Sequence, residues 1–196
     1  MREPWNVNIH YDARLDASVS VDASSVLDVG CGDGFLAARL SRRIPRVVAL
    51  DIDEPVLERA KMRFPDTRVI WMHGDLLRAP VGSFDAVVSN ATLHHLPDTR
   101  AGLRHLRRRV RPGGTLAIVT FARPGWRDLP WALAAFVARG VAIGVRGKRE
   151  HTAPIVWPPA VTVRELRQHV RAELPGAHVR RLLLGRTFIS WRAPTP

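Results

Sequence analysis

Several residue types are scarce in this chain of 196 residues, and each scarcity excludes something. Cys31 is the single cysteine, so an internal disulfide cannot form, which favours a reducing compartment. The sequence has no run of about 18 apolar residues of the kind that a membrane-spanning helix needs. The first residues also lack the apolar core of a signal peptide. These absences predict a cytoplasmic protein without a transmembrane segment.

Lysine is also scarce, because Lys61 and Lys148 are the only two among the 30 basic residues. With 18 acidic residues the formal net charge is +12, and a dense arginine run lies between Arg104 and Arg111. Such a balance is typical of proteins that bind nucleic acid or an anionic membrane. We interpret it as a bias towards arginine, with the run on a solvated helix face, so a nucleic-acid partner is not expected.

The composition and the pattern of apolar runs predict the fold class. An apolar share of 46% with 24% charged residues is typical of a single folded domain with a substantial core. Short apolar runs alternate with amphipathic runs in the first two-thirds, which indicates βα units and a parallel sheet. Residues 179–184 and 187–191 favour an antiparallel hairpin at the edge of the sheet. We expect an α/β fold of about seven strands with helices on both faces.

The chain divides into an N-terminal cover (1–22), a core (23–121), a variable cap (122–160) and a closing helix with the hairpin (161–196). The cap holds an apolar block at 131–145 that carries Arg139. This block suits a lid helix over a pocket, or a helix on a membrane surface beside Arg146, Lys148 and Arg149. Peripheral membrane contact therefore stays open.

The strongest motif is a glycine-rich loop between the first strand and a helix. Asp28 stands two residues before Gly30, and Gly32 and Gly34 complete a Gly-x-Gly-x-Gly pattern. Glycines allow tight turns and close approach by a ligand, and the helix start offers free N–H groups to an anionic group. A dinucleotide fingerprint has its third glycine three positions after the second, where Phe35 stands here. The spacing therefore disfavours a nicotinamide oxidoreductase.

This loop resembles motif I of the class I S-adenosylmethionine-dependent methyltransferases. Four later segments resemble that family in its own order, at 49–51, 74–76, 84–98 and 106–114, and the resemblance covers roughly residues 20–121. It implies a Rossmann-like class I methyltransferase fold with S-adenosylmethionine as the cofactor of the core. In its arginine content the chain is similar to bacterial small-molecule methyltransferases.

The resemblance also assigns roles to individual residues. Asp51 would hold both ribose hydroxyls, since a carboxylate can accept two hydrogen bonds from a diol, and Ile52 would pack on adenine. Asp75 would accept the adenine amino proton, with Leu76 adding backbone or packing contacts. Tyr11 of the cover would close on the methionine carboxylate. The expected cofactor set is completed by Asp28, Gly30, Gly32, Gly34 and Asn90.

Histidines are the candidates for the chemical step. His94 and His95 follow the fourth strand, near the expected methyl group, and either could take a proton from the acceptor as the methyl transfers. The alternative is that one of them packs the loop or touches the cofactor. His10 of the cover, with His151 and Trp157 of the cap, are candidates for binding the acceptor. No cluster with metal-ligand spacing occurs in the sequence, so no metal is expected.

Motifs that the sequence lacks exclude several classes of methyl acceptor. The Asn/Asp-Pro-Pro-Tyr/Phe signature of amino methylation on bases is absent, because residues 89–92 read Ser-Asn-Ala-Thr. Cys31 lies in the glycine loop, so no cysteine is available as a nucleophile for cytosine C5 methylation. We predict in-line methyl transfer to an oxygen or nitrogen of a small, fairly apolar metabolite, by a monomer or homodimer. The alternatives are a methyltransferase for RNA, one for a lipid or prenylated acceptor at a membrane, and a non-catalytic S-adenosylmethionine-binding protein.

Overall fold

The computed structural model describes residues 5–146 and 158–195, which contain one seven-stranded sheet. Its strands are β1 (Ser25–Val29), β2 (Arg46–Asp51), β3 (Val69–His73), β4 (Phe84–Asn90), β5 (Val110–Thr120), β6 (His178–Leu182) and β7 (Arg186–Arg192). Across the sheet they lie in the order β3-β2-β1-β4-β5-β7-β6. β1 to β5 are parallel, and β7 is antiparallel to both β5 and β6. The predicted α/β sheet with an antiparallel C-terminal hairpin is confirmed.

Six helices connect the strands of the described residues. They are α1 (Val7–Ser18), α2 (Phe35–Leu40), α3 (Glu54–Arg63), α4 (Thr99–Arg108), α5 (Leu129–Arg146) and α6 (Val163–Glu173). The side chains of Asp53 and Asp98 cap α3 and α4 by accepting backbone N–H groups of the first turn. α4 ends at Arg108, and Val110 already pairs with Phe84 as the first residue of β5.

The sheet separates two hydrophobic cores, as the alternation of side chains along a strand requires. Leu27 of β1 packs on one face in a cluster with Leu103 of α4 and Leu166 of α6. Its neighbour Val26 packs on the opposite face with Leu15 of α1 and residues of α2. The helices therefore cover both faces, and the loops after the parallel strands remain at one edge of the sheet.

α5 is longer than the apolar block that the sequence suggested. It has 18 residues and continues from a 3₁₀ turn at Trp126–Asp128. The stretch Trp126–Val145 has 20 residues, of which an 18-residue segment has a mean hydropathy of 1.4, and only 6% of that segment is buried. The expectation that no stretch would reach the length of a membrane span was wrong, because Pro130 falls in the first turn, where proline is tolerated. Length and composition alone do not show that α5 crosses a membrane.

Candidate functional site

A cavity of about 520 Å³ lies where β1, β2 and β4 end. Parallel strands bring their carboxyl ends to one edge of the sheet, which is where open α/β sheets bind ligands. The lining includes the glycine loop after β1, Asp51 and Ile52 after β2, and Asn90 at the end of β4. Asn8 and Ile9 of α1 line it as well. The fold thus brings together candidate residues from three separate strands.

Each of the three loop glycines can be explained by its backbone conformation and by the space around it. Gly30 and Gly34 have positive φ values of +69° and +81°, and a Cβ there would lie 1.9 Å from Oγ1 of Thr92 and 2.5 Å from the ring of Trp71. Gly32 also has a positive φ, of +52°, but a Cβ there would meet nothing within 4 Å. Because Gly32 lines the cavity, that open space is available to a ligand.

Asp51 is held in the cavity by backbone N–H groups. The N–H of Gly32 donates to its Oδ2 at 2.7 Å, and the N–H of Asp53 donates to its Oδ1 at 3.0 Å. Each carboxylate oxygen keeps a further lone pair, so the fixed group can still accept hydrogen bonds from a ligand diol. The neighbouring Ile52 is 68% exposed, and this apolar surface beside the cavity suits a flat ring.

The segment after β3 also reaches the cavity. Oδ1 of Asp75 accepts the N–H of Leu77 at 2.9 Å, which fixes the turn that follows the strand. Leu76 is buried, and both Asp75 and Leu76 line the cavity. This arrangement permits the contacts with adenine that the resemblance implies for Asp75 and Leu76, and those contacts stay a prediction.

The cavity is acidic although the chain carries a net charge of +12. Its lining holds six aspartates and, among the described residues, neither arginine nor lysine. The six are Asp12, Asp28, Asp33, Asp51, Asp53 and Asp75. Such a lining attracts a cationic ligand and repels an anionic dinucleotide.

Two of these carboxyl groups are deeply buried near Asn90. Nδ2 of Asn90 donates to Oδ1 of Asp12 at 2.8 Å and to the carbonyl of Asn8 at 2.9 Å. Neither oxygen of Asp28 completes a hydrogen bond within the described residues, although the backbone of Ala37 stabilises it weakly. Burial raises the pKa of Asp12 to about 7, and burial together with Asp12 raises the pKa of Asp28 well above its usual range. Buried carboxyl groups with so few partners suit a cationic ligand.

Asp12 is a residue of the site that the sequence analysis missed. Its neighbour Tyr11, predicted to contact the cofactor, does not line the cavity, and its hydroxyl donates to the carbonyl of Leu183. His10, a candidate for binding the acceptor, is exposed, and its ring lies 4.8 Å from that of Tyr11, also outside the lining. Consecutive residues of a helix point in directions about 100° apart, so of His10, Tyr11 and Asp12 only Asp12 faces the cavity. Recognising a helix from Val7 onward was the signal that could have found Asp12.

The fold gives the two neighbouring histidines different surroundings, although their ring centres lie only 4.1 Å apart. Both lie in one 3₁₀ turn after β4, but only His95 lines the cavity. The ring of His94 packs 4.6 Å from that of Phe121. Burial lowers the pKa of His94 to about 3, and burial also lowers the pKa of His95, with Asp51 opposing that shift. Both imidazoles are therefore neutral near pH 7, and His95 is the one placed to accept a proton in the cavity.

Three other residues complete the comparison with the sequence. His151 and Trp157 lie outside the described residues, so their role in binding the acceptor stays a prediction. The thiol of Cys31 is surrounded by protein, and burial with the nearby Asp28 and Asp51 raises its pKa far above the usual range. A thiol held in this protonated form is a poor nucleophile, which agrees with the exclusion of cysteine chemistry.

Known proteins match this chain over its whole length. A family described as "Methyltransferase domain" matches residues 27–118. An uncharacterized methyltransferase of Mycobacterium tuberculosis is 59% identical over 196 residues, which is 99% of this chain and 100% of that protein. A ubiquinone biosynthesis O-methyltransferase of Xanthomonas campestris is 32% identical over 150 residues, which is 72% of this chain and 63% of that protein. The chain belongs to the class I S-adenosylmethionine-dependent methyltransferase family.

Solved structures agree with this family. The N-methyltransferase NodS from Bradyrhizobium japonicum, in complex with S-adenosyl-L-homocysteine, matches with a TM-score of 0.65 at 18% identity. The match covers 95% of this chain and 85% of that one, and it shows the common fold. S-adenosylmethionine is the cofactor, and the site fits it, because its sulfonium and ammonium groups are cationic and the lining is acidic.

We expect Gly32→Ala and Gly30→Ala to fail in different ways. Both place an L residue at positive φ, which costs about 1–2 kcal/mol, so the backbone strain is matched. In Gly32→Ala the methyl group enters open space in the cavity lining, so affinity for S-adenosylmethionine falls while most stability remains. In Gly30→Ala the Cβ overlaps Thr92, so the free energy of unfolding falls much further. Urea unfolding and calorimetric titration measure both, and equal losses of stability in the two variants would contradict this account.

The carboxyl group of Asp12 is expected to contribute stability that is lost as the pH rises from about 4 to about 7. Because its pKa is raised from 3.8 to about 7, the folded state keeps a proton on Asp12 in this window that the unfolded state has released. His94 acts in the opposite direction over the same window, because burial lowers its pKa to about 3 in the folded state. The stabilisation is complete below the unfolded pKa and is lost as the pH passes the folded one. For Asp12 it amounts to about 4 kcal/mol at most.

The Asp12→Asn variant removes this contribution while keeping an oxygen that can accept from Asn90. Between about pH 4 and pH 7, urea unfolding should show the stability of Asp12→Asn rising relative to that of the wild type, so that the variant is the more stable protein above pH 7. Asp28, whose raised pKa acts in the same direction, keeps part of the slope in both proteins. The exposed Asp22→Asn variant is the control and should follow the wild type. A slope in Asp12→Asn equal to that of the wild type would contradict the assignment.

Proposed function

We propose that this methyltransferase transfers the methyl group to an oxygen or nitrogen of a small, fairly apolar metabolite. The observation that carries the proposal is the cavity lining, in which apolar side chains such as those of Ile9, Leu96 and Pro97 accompany His95. A cavity of about 520 Å³ falls in the size range of small-molecule sites. The names of the O-methyltransferase and the N-methyltransferase among the relatives support both kinds of acceptor atom.

The chain's own residues act mainly by binding and orientation. When bound, S-adenosylmethionine supplies a methyl group on a cationic sulfur, which needs little further activation. Asp28 and Asp12, whose raised pKa favours the protonated form in the empty site, would gain negative charge beside a cationic ligand, and Asp51 provides hydrogen-bond acceptors at the end of β2. Holding the acceptor atom in line with the methyl group then lowers the entropic part of the barrier. His95 can accept the proton of a hydroxyl or amine acceptor, because its lowered pKa keeps the imidazole neutral.

The contacts of the arginine run support a small molecule over RNA. Arg107 and Arg109 donate to backbone carbonyl groups at 3.0 Å and 3.2 Å. Arg111 pairs with Asp85 at 2.9 Å. These guanidinium groups are engaged within the protein, so the run is less available to a phosphate backbone than its charge suggests.

A lipid or prenylated acceptor is the second candidate, and the exposed apolar side chains of α5 favour it. Leu133 and Phe136 are largely solvent-exposed, which brings apolar surface to the cap of the same domain. An acceptor with a hydrophobic tail would find a surface there, while its polar head would need to reach His95.

Transfer of label from methyl-labelled S-adenosylmethionine tests the proposal. The acceptors are a panel of small hydroxyl, carboxyl and amine compounds, matched prenylated compounds, and RNA, and Gly32→Ala serves as the cofactor-site control. We expect label in a small, fairly apolar compound with the wild type and little with Gly32→Ala. Label in RNA alone would overturn the proposal, and tight cofactor binding without transfer to any acceptor would favour the non-catalytic alternative.

A further inference from the structure

The outer face of α5 has the opposite character from that of an ordinary surface helix. A soluble helix normally turns its apolar side inward and its polar side to water. On α5, large apolar side chains that follow helical spacing are each more than half exposed. We call this set the α5 face, and it consists of Leu129, Leu133, Phe136, Val137, Val141 and Val145. A contiguous exposed apolar patch of this kind marks an interaction site.

The opposite side of α5 is anchored to the domain. Ala135 is buried, and Ala138 and Ala142 pack against the core on one face of the sheet. Nε1 of Trp131 donates to the carbonyl of Leu182 at 3.2 Å, which ties the first turns of the helix to the end of β6. Because one side is fixed to the sheet, α5 presents its apolar side along the surface of the domain.

Aromatic and basic side chains gather at the start of the helix. The guanidinium of Arg127 lies 4.8 Å from the ring centre of Trp126, which is itself exposed. Arg181 lies 5.8 Å from the ring centre of Trp131, and its charge is paired with Asp128 at 2.7 Å, so Arg127 and Arg139 carry the positive charge beside the helix. Arg139, halfway along α5, is exposed too. Tryptophan and arginine are the residues that settle at a membrane–water interface, where an apolar body and a polar tip are both satisfied.

We propose that the α5 face docks this protein on the surface of an anionic lipid bilayer, with α5 lying in the plane of the interface. The positive charge of the chain favours an anionic bilayer over a second copy of the protein as the partner of the α5 face. A protein of net charge +12 is attracted to anionic headgroups, whereas a second copy with the same charge is repelled. An anchored helix with an apolar face and basic residues beside it has the form of an interfacial helix. This inference does not depend on the acceptor, and it goes beyond the proposed function.

Co-sedimentation of the full chain with vesicles tests the docking. The vesicles are phosphatidylcholine alone and phosphatidylcholine mixed with phosphatidylglycerol. We expect binding to the mixed vesicles that weakens at high salt, and little binding to phosphatidylcholine alone. Phe136→Asp should reduce binding at least about tenfold, because it removes a large apolar group and adds like charge at an anionic surface. Met62→Asp is the matched control, since Met62 of α3 is as exposed as Phe136 but lies outside the α5 face, and it should bind like the wild type.

Three results would overturn the proposal. The first is no binding of the wild type to the anionic vesicles. The second is equal binding by Phe136→Asp, which would show that charge alone is responsible. The third is a lipid-free dimer that Phe136→Asp dissociates in light scattering, which would make the α5 face an interface between copies. Phe136→Asp should still bind S-adenosylmethionine. If it does, a loss of vesicle binding cannot be due to a damaged methyltransferase site.

Discussion

Replacing Asp51 with alanine is expected to lower the affinity for S-adenosylmethionine by about 10²–10⁴-fold. The carboxylate lies in the cavity at the end of β2, and the family resemblance gives it both ribose hydroxyls. Two charge-assisted hydrogen bonds would be lost, worth roughly 1.5–3 kcal/mol each. Calorimetric titration with S-adenosylmethionine and with its demethylated product measures the change.

Asp51 also accepts the N–H groups of Gly32 and Asp53, so part of the loss could arise from a disordered loop. Asp51→Asn separates the two effects, because the amide keeps one acceptor oxygen and should retain more affinity than alanine. The exposed Asp22→Ala variant controls for the change in net charge. Unchanged affinity in Asp51→Ala would mean that the ribose is held by other residues.

Replacing His95 with alanine is expected to lower turnover by about 10²–10⁴-fold, the usual range for loss of a general base. Affinity for S-adenosylmethionine should change much less, because a proton acceptor acts on the methyl acceptor rather than on the cofactor. Single-turnover rates, with the acceptor found by label transfer, measure the first quantity and calorimetry the second. His178→Ala is the control, since His178 is exposed on β6 and lies outside the cavity lining.

The pH dependence of the rate gives an independent check. A base must be neutral to accept a proton, so the rate rises with pH through the pKa of the histidine and then levels off. Because burial lowers the pKa of His95, the midpoint of this rise should lie below about pH 6.5, the ordinary value for histidine. His95→Gln keeps a polar side chain but cannot take up the proton, and it should remain slow. A loss confined to cofactor affinity would instead identify His95 as a cofactor contact, and normal turnover would mean that positioning alone suffices.

The cofactor site could be predicted from the sequence because its signals are local. Gly30, Gly32 and Gly34 lie within five positions of a strand end, and Asp51 and Asp75 each follow the next strand along the chain. Parallel strands must place their carboxyl ends at one edge of the sheet, so local motifs of this kind meet in space without further information. The order of the five motifs along the chain also predicted the methyltransferase fold with about seven strands.

The sequence by itself thus determined the class of fold, the cofactor and the strand-end residues that line the cavity. The tertiary structure decided which face each helix buries, since that depends on contacts between distant segments. Asp12 meets Asn90 across 78 positions of the chain, and Tyr11 meets Leu183 across 172. The same packing brings His95 but not His94 into the cavity lining, and it leaves Phe136 exposed while Ala135 is buried. A helix turns about 100° per residue, so neighbouring side chains point in different directions. Only the packing partners determine which of them reaches the cavity, the core or the surface.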